Sequence, residues 1–197
     1  MKKILFFLTI FFLGSEKSFS NINDQLESFI GCDSEITQKN LIDIDKIRIK
    51  KIDIDIHNYR KWTVNGIRIL INRSRFTPSK YKMRFNATIT VTYENDSSCI
   101  FKARIRHSGD EKDHIAIQGN TIIQSLDVHL NNGNIRGITK FKLLRPDTRG
   151  NLEDEIILTE LLRNLNYLAP RTVKVNTRIN EANSIMIFQE KASKELL

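Results

Sequence analysis

The sequence predicts an α+β protein, mostly antiparallel strands with one main helix after a strand-rich N-terminal segment. Two observations predict it. Apolar residues alternate with polar ones along most of the chain up to about residue 148, which is the period of a half-buried strand. One stretch, 151–166, instead spaces Ile157, Leu158, Leu161, Leu162 and Leu165 at helical intervals.

The first twenty residues stand apart from this pattern. Lys2 and Lys3 precede an apolar run over 4–13, and Ser18-Phe19-Ser20 supplies a small-x-small ending, the form of a secretory signal peptide. The run is too short to cross a bilayer, so no transmembrane segment is expected after cleavage. The implied location is secreted or periplasmic. Cleavage leaves 177 of the 197 residues and removes three cations and one anion, which takes the net charge from +8 to +6. Cys32 and Cys99 both remain. In an oxidising compartment they predict one disulfide from the N-terminal segment to the middle of the chain, the alternative being two buried thiols. Neither sits in a CxxC or a His/Cys cluster with zinc spacing.

Over 41–56 apolar and charged residues alternate, with phase slips between Ile44 and Ile47 and between Ile49 and Ile52, so short kinked strands are expected. Alternation resumes at Ile67, Ile69 and Ile71. Met83, Phe85, Ala87, Ile89, Val91 and Tyr93 form a longer row, and a turn over 94–98 leads to Cys99, Phe101, Ala103 and Ile105. That spacing predicts an antiparallel hairpin whose outward row, Lys102, Arg104 and Arg106, is basic. The helix over 151–166 has Glu153, Asp154 and Glu155 in its first turn, Arg163 near its end and Pro170 after it, charges that complement the helix dipole. Strands at 172–179 and 184–188 follow, joined by a turn over 180–183. Residues 192–197 resemble the start of another helix.

Several phrases fall in a meaningful order: Arg104 to Asp110, Ser125 to Leu130, Lys140 to Leu144, the leucine-rich helix, Ala169-Pro170-Arg171-Thr172, and Phe188 to Lys191. Together they resemble the secreted spore-coat CotH family of atypical kinases. The resemblance covers about residues 99–197 and implies a kinase-like small lobe there, following a strand-rich segment over 21–98. It also implies a nucleotide site, with ATP and Mg²⁺ as cofactors and a secreted protein as substrate. In that site Ser108 and Gly109 would let backbone N–H groups approach phosphate, Arg106 would add charge, either Lys140 or Lys142 would hold phosphates, and Glu155 would pair with the lysine. The sequence departs from the family where Gln124 stands in place of a lysine.

A kinase-like fold keeps its catalytic base and metal-binding acids in a second lobe. The sequence given stops at Leu197, where the connector to that lobe would lie, so no catalytic residue is expected. The small lobe is read as incomplete at its C-terminus, a truncated or non-catalytic portion. His107, Asp110, Asp113 and His114 have ligand chemistry, yet loops rich in such residues are ordinarily solvated, and no metal site is expected. The basic charge comes without a zinc finger, a helix-turn-helix or aromatic-basic interleaving, which disfavours nucleic acid. The second functional expectation is therefore non-enzymatic: an exported strand-rich module that binds an anionic envelope polymer through Arg104 and Arg106.

Overall fold

The computed structural model describes residues 49–149 and 153–191. The expected signal peptide at 1–20, Cys32, the first phase slip and the start of a helix at 192–197 lie outside the described residues. Nine strands are present among those described: β1 (Ile49–Ile56), β2 (Phe85–Tyr93), β3 (Ser98–His107), β4 (Ile115–Gln118), β5 (Thr121–Gln124), β6 (Leu126–Leu130), β7 (Lys140–Leu144), β8 (Thr172–Ile179) and β9 (Ala182–Glu190). Seven of them close into a barrel in the order β1-β2-β3-β6-β7-β9-β8, while β4 and β5 form a separate hairpin.

This architecture corrects the expected fold class. The described residues form a strand-dominated closed barrel with two α-helices, not an α+β kinase-like small lobe. Closure comes from β1, which pairs antiparallel with β2 and parallel with β8, from Lys51 opposite Asn176 to Ile54 opposite Ile179. Each would otherwise be an edge strand with unpaired N–H and C=O groups, and their union removes both edges.

Alternation along the strands fills the interior. Ile52, Ile54, Ile89, Val91, Phe101, Ile105, Val128, Phe141, Leu143, Met186 and Phe188 are all at most 2% exposed. Phe141 and Phe188 stack with ring centroids 4.6 Å apart. The register shift in β1 lies between Ile49 and Lys51, where the sequence slips phase, so a local irregularity keeps both Ile49 and Ile52 buried. The β2–β3 hairpin forms as expected, with Val91 opposite Cys99 and Phe85 opposite Ile105. Met83 alone of the anticipated row lies outside the strand and is exposed.

Residues 67–71 are not a strand. They end helix α1 (Tyr59–Ile71), whose N-cap Asn58 accepts from Lys61 N–H. Trp62, Asn65, Gly66 and Ile69 form its buried face, spaced at three and four residues, while Ile67 and Ile71 are exposed. Trp62 meets Phe85 edge to face at 5.2 Å. A Cβ on Gly66 would reach 3.4 Å from Ile122 and 3.6 Å from Ile115, so the bare backbone lets α1 lie close on the β4–β5 hairpin.

The expected helix is α2 (Asp154–Asn164). It docks beside β8, but Thr159 is its one buried side chain, and Ile157, Leu158, Leu161 and Leu165 are exposed rather than packed. The described residues contain no helix long and apolar enough to cross a membrane.

Candidate functional site

On the outer face of the barrel, register places polar side chains from four strands in two rows. Arg106 lies opposite Asp127, which lies opposite Lys142, which lies opposite Gln189; Arg104, His129 and Lys140 form the next row. These side chains face outward because their neighbours Ile105, Val128 and Phe141 face the core.

Asp127 is the hub. Its side chain is 3% exposed and receives Arg106 Nε at 2.8 Å, Arg84 Nη2 at 3.4 Å and Lys191 Nζ at 3.5 Å. Burial would raise its pKa. The hydrogen bond from Arg106 and the charges of Lys191 and Arg106 overcome that, and the carboxyl is held below its usual range. Arg84 Nη2 also lies 3.2 Å from His129 Nε2. Burial, then the charge of Arg84, push the His129 pKa down, so the neutral imidazole accepts from the guanidinium.

A cleft of about 530 Å³ opens beside this hub, lined by Arg106, Asp127, Lys142 and Lys191 on one side and by the loop 107–114 with Lys82 and Arg149 on the other. The loop is tied down at each end. Ser108 N–H donates to Ser125 O at 2.8 Å, and Ser125 N–H to His114 O at 2.8 Å. Lys82 pairs with the exposed Asp110 and lowers its pKa by that hydrogen bond and by its charge. His107 is 1% exposed, with Nδ1 3.1 Å from Gln124 Oε1, which places the proton on Nδ1; Nε2 has no partner among the described residues. Burial drives its pKa down to about 4. Gln124, where the CotH pattern has a lysine, is thus a buried brace for His107.

Four of the six anticipated site residues, Arg106, Ser108, Gly109 and Lys142, line this one cleft. Lys140 stands on the same strand face one rung away. Glu155 lies at the margin, where it accepts from Gln189 Nε2 and pairs with Arg149 Nε at 3.1 Å rather than with Lys142. No carboxylate among the described residues pairs with Lys142. The Ser108 amide already donates within the fold, so it is not presented to a ligand.

The cluster His107, Asp110, Asp113 and His114 does not converge. Asp110 turns to Lys82, His107 to Gln124, and His114 Nδ1 to Ser125 Oγ at 3.1 Å. Among the described residues no group of three or more His, Cys, Asp or Glu is arranged to hold a metal ion.

Sequence reasoning missed Arg84, Asp127, His129 and Lys191. Asp127 and His129 alternate with Leu126, Val128 and Leu130, so their outward direction was readable; that cations from three other segments meet there was not. No family model matches the chain, and no curated protein matches it.

Proposed function

We propose that this chain is an exported, non-enzymatic β-barrel module that binds an anionic envelope polymer through the face of β3, β6 and β7. One observation carries the reading. Arg84, Arg104, Arg106, Lys140, Lys142 and Lys191 are gathered on and around a face whose one carboxylate among the described residues, Asp127, is buried beneath them. The field outside that face is positive, while in the adjoining cleft Lys82 and Arg149 are matched by Asp110 and Glu155 and add no net charge. The pattern of residues 1–20 supports export.

Chromatography on dextran sulfate tests this. The protein lacking residues 1–20 should be retained and should elute early as salt rises, because the contacts are screened over about 10 Å at 0.1 M ionic strength. Lys142→Ala and Arg104→Ala should each elute at lower salt, and Asp127→Asn, which removes a negative charge from that face, at higher salt. Absent or salt-independent retention would overturn the reading.

The placement of Arg106, Gly109 and Lys142 around one cleft favours a second reading, in which the ligand is the ATP and Mg²⁺ implied by the family resemblance, bound without turnover. A melting-temperature rise with ATP and Mg²⁺ that is lost in Lys142→Ala would support it. No shift at about 5 mM nucleotide, far above an ordinary micromolar to millimolar affinity, would sink it.

A further inference from the structure

The outer face across the barrel, formed by β2, β1, β8 and β9, carries a different set of side chains. Register aligns Thr90, Asp53, Arg178 and Asn183 in one row, and Thr92, Lys51, Asn176 and Ile185 in the next. Strands about 4.8 Å apart make this a four-strand platform of hydroxyls, carboxamides and charged groups. Two clefts flank it. One, about 330 Å³, is lined by Asp53, Asp55, Tyr59, Thr88, Arg178 and Asn180 among others. The other, about 730 Å³, places Gln118, Asn176 and Asn183 beside Ile117 and Ile185.

Charge here is balanced locally. Asp53 Oδ1 receives Arg178 Nε at 2.6 Å and Lys51 Nζ at 2.8 Å, and Asp55 Oδ1 accepts from Asn180 Nδ2 at 3.1 Å. Such a face has no net field with which to attract a polyanion, so it is unlike the cationic face. Its carboxylates are nonetheless fixed, and each has about four lone-pair sites, of which only some are used. Fixed acceptors beside amide donors and threonine hydroxyls suit a ligand that presents many hydroxyls, each a donor and an acceptor. Tyr59, together with Ile117 at 67% exposure and Ile185 at 48%, adds apolar surface for C–H faces.

We propose that this face is a second binding site, for a neutral oligosaccharide laid across β2, β1, β8 and β9. It goes beyond the anion-binding reading and does not depend on it.

Titration calorimetry with cellohexaose, chitohexaose and maltohexaose tests the site on the chain lacking residues 1–20. At least one should bind with a dissociation constant below about 1 mM. Asn176→Ala and Asn183→Ala, both at exposed positions, should together weaken binding at least about 10-fold, and Tyr59→Leu, which keeps an apolar packing group, should weaken it too. Thermal melts of each variant show that the barrel is intact. Lys142→Ala should leave saccharide binding unchanged, and Asn176→Ala should leave retention on dextran sulfate unchanged, so failure of either site is distinguishable from failure of the other. No binding of any of the three hexasaccharides at about 10 mM overturns the proposal. So does binding that survives the Asn176/Asn183 double variant or is abolished by Lys142→Ala.

Discussion

Arg171 and Glu190 lock the start of β8 to the end of β9 with a two-pronged ion pair. Nε lies 2.9 Å from Oε2 and Nη2 3.0 Å from Oε1, and the side chains are 10% and 5% exposed. Two backbone bonds reinforce the pair: Arg171 N–H donates to Oε2 at 3.3 Å, and Glu190 N–H to Arg171 O at 2.9 Å. Truncating Glu190 removes two charge-assisted bonds from a buried guanidinium, so Glu190→Ala should cost about 3 kcal/mol in urea unfolding, whereas replacing both residues with Met and Leu should recover most of that loss. The exposed pair Lys50–Asp96 has 56% and 74% side-chain exposure, and Lys50→Ala should cost under about 0.5 kcal/mol. Equal losses at the two sites would refute this ranking.

His107 should make the fold acid-sensitive well above the carboxylate range. Its folded pKa is about 4 and an unfolded histidine titrates near 6.5, so the unfolded state takes up the proton first as pH falls. Stability from this group is complete above about pH 6.5 and is lost progressively down to about pH 4, a total of about 3 kcal/mol at 1.36 kcal/mol per unit. Denaturant unfolding at pH 7, 5.5 and 4.5 should show that slope, and His107→Gln should flatten it. An unchanged slope in the variant would assign the acid sensitivity to other groups.

How far the sequence discloses this structure depends on the range of the interactions involved. The hairpin of β2 and β3 was legible because turn and alternation lie within about twenty residues. Helix α1 was not, although Trp62, Gly66 and Ile69 carry its period, because Ile67, Ile69 and Ile71 also fit an alternating pattern and two of those three are exposed. Barrel closure was beyond local reading, since Asp53 and Arg178 meet across 125 positions and nothing in either strand names its partner. The site divides in the same way. Arg106, Ser108 and Gly109 came from one contiguous phrase. Arg84 and Lys191 reach Asp127 from distant segments, and only the closed barrel brings them together.

Gly109 is the one loop residue in the cleft that tolerates no side chain. Its φ is +110°, a conformation that L residues rarely adopt, and a methyl group there would overlap the His114 ring. His114 cannot give way freely, because its Nδ1 contacts Ser125 Oγ and its carbonyl accepts from Ser125 N–H. Gly109→Ala should therefore cost about 2 kcal/mol in thermal or denaturant unfolding and displace the His114 ring resonances in an NMR spectrum. Ala substitution at Gly119, where nothing lies within 4 Å of the added methyl but φ is +58°, should cost less, about 1 kcal/mol of backbone strain alone. If the two variants lose equal stability, the His114 contact is not what constrains position 109.

The bridge expected between Cys32 and Cys99 would tie the segment before β1 that remains after cleavage to β3. Cys99 is 1% exposed on the inner face of β3, opposite Val91, where a thiol open to solvent reagents would not be found. We expect purified protein, denatured without reductant, to take up no iodoacetamide by intact mass, and to take up two equivalents after reduction. Closing a loop of 67 positions between the two cysteines restricts the unfolded chain, so reduction should lower stability by about 4 kcal/mol. Cys32→Ser should reproduce that loss in the unreduced protein, because it opens the same loop. Alkylation of both cysteines in denatured, unreduced protein would exclude the bridge, and the barrel would then stand on closure and core packing alone.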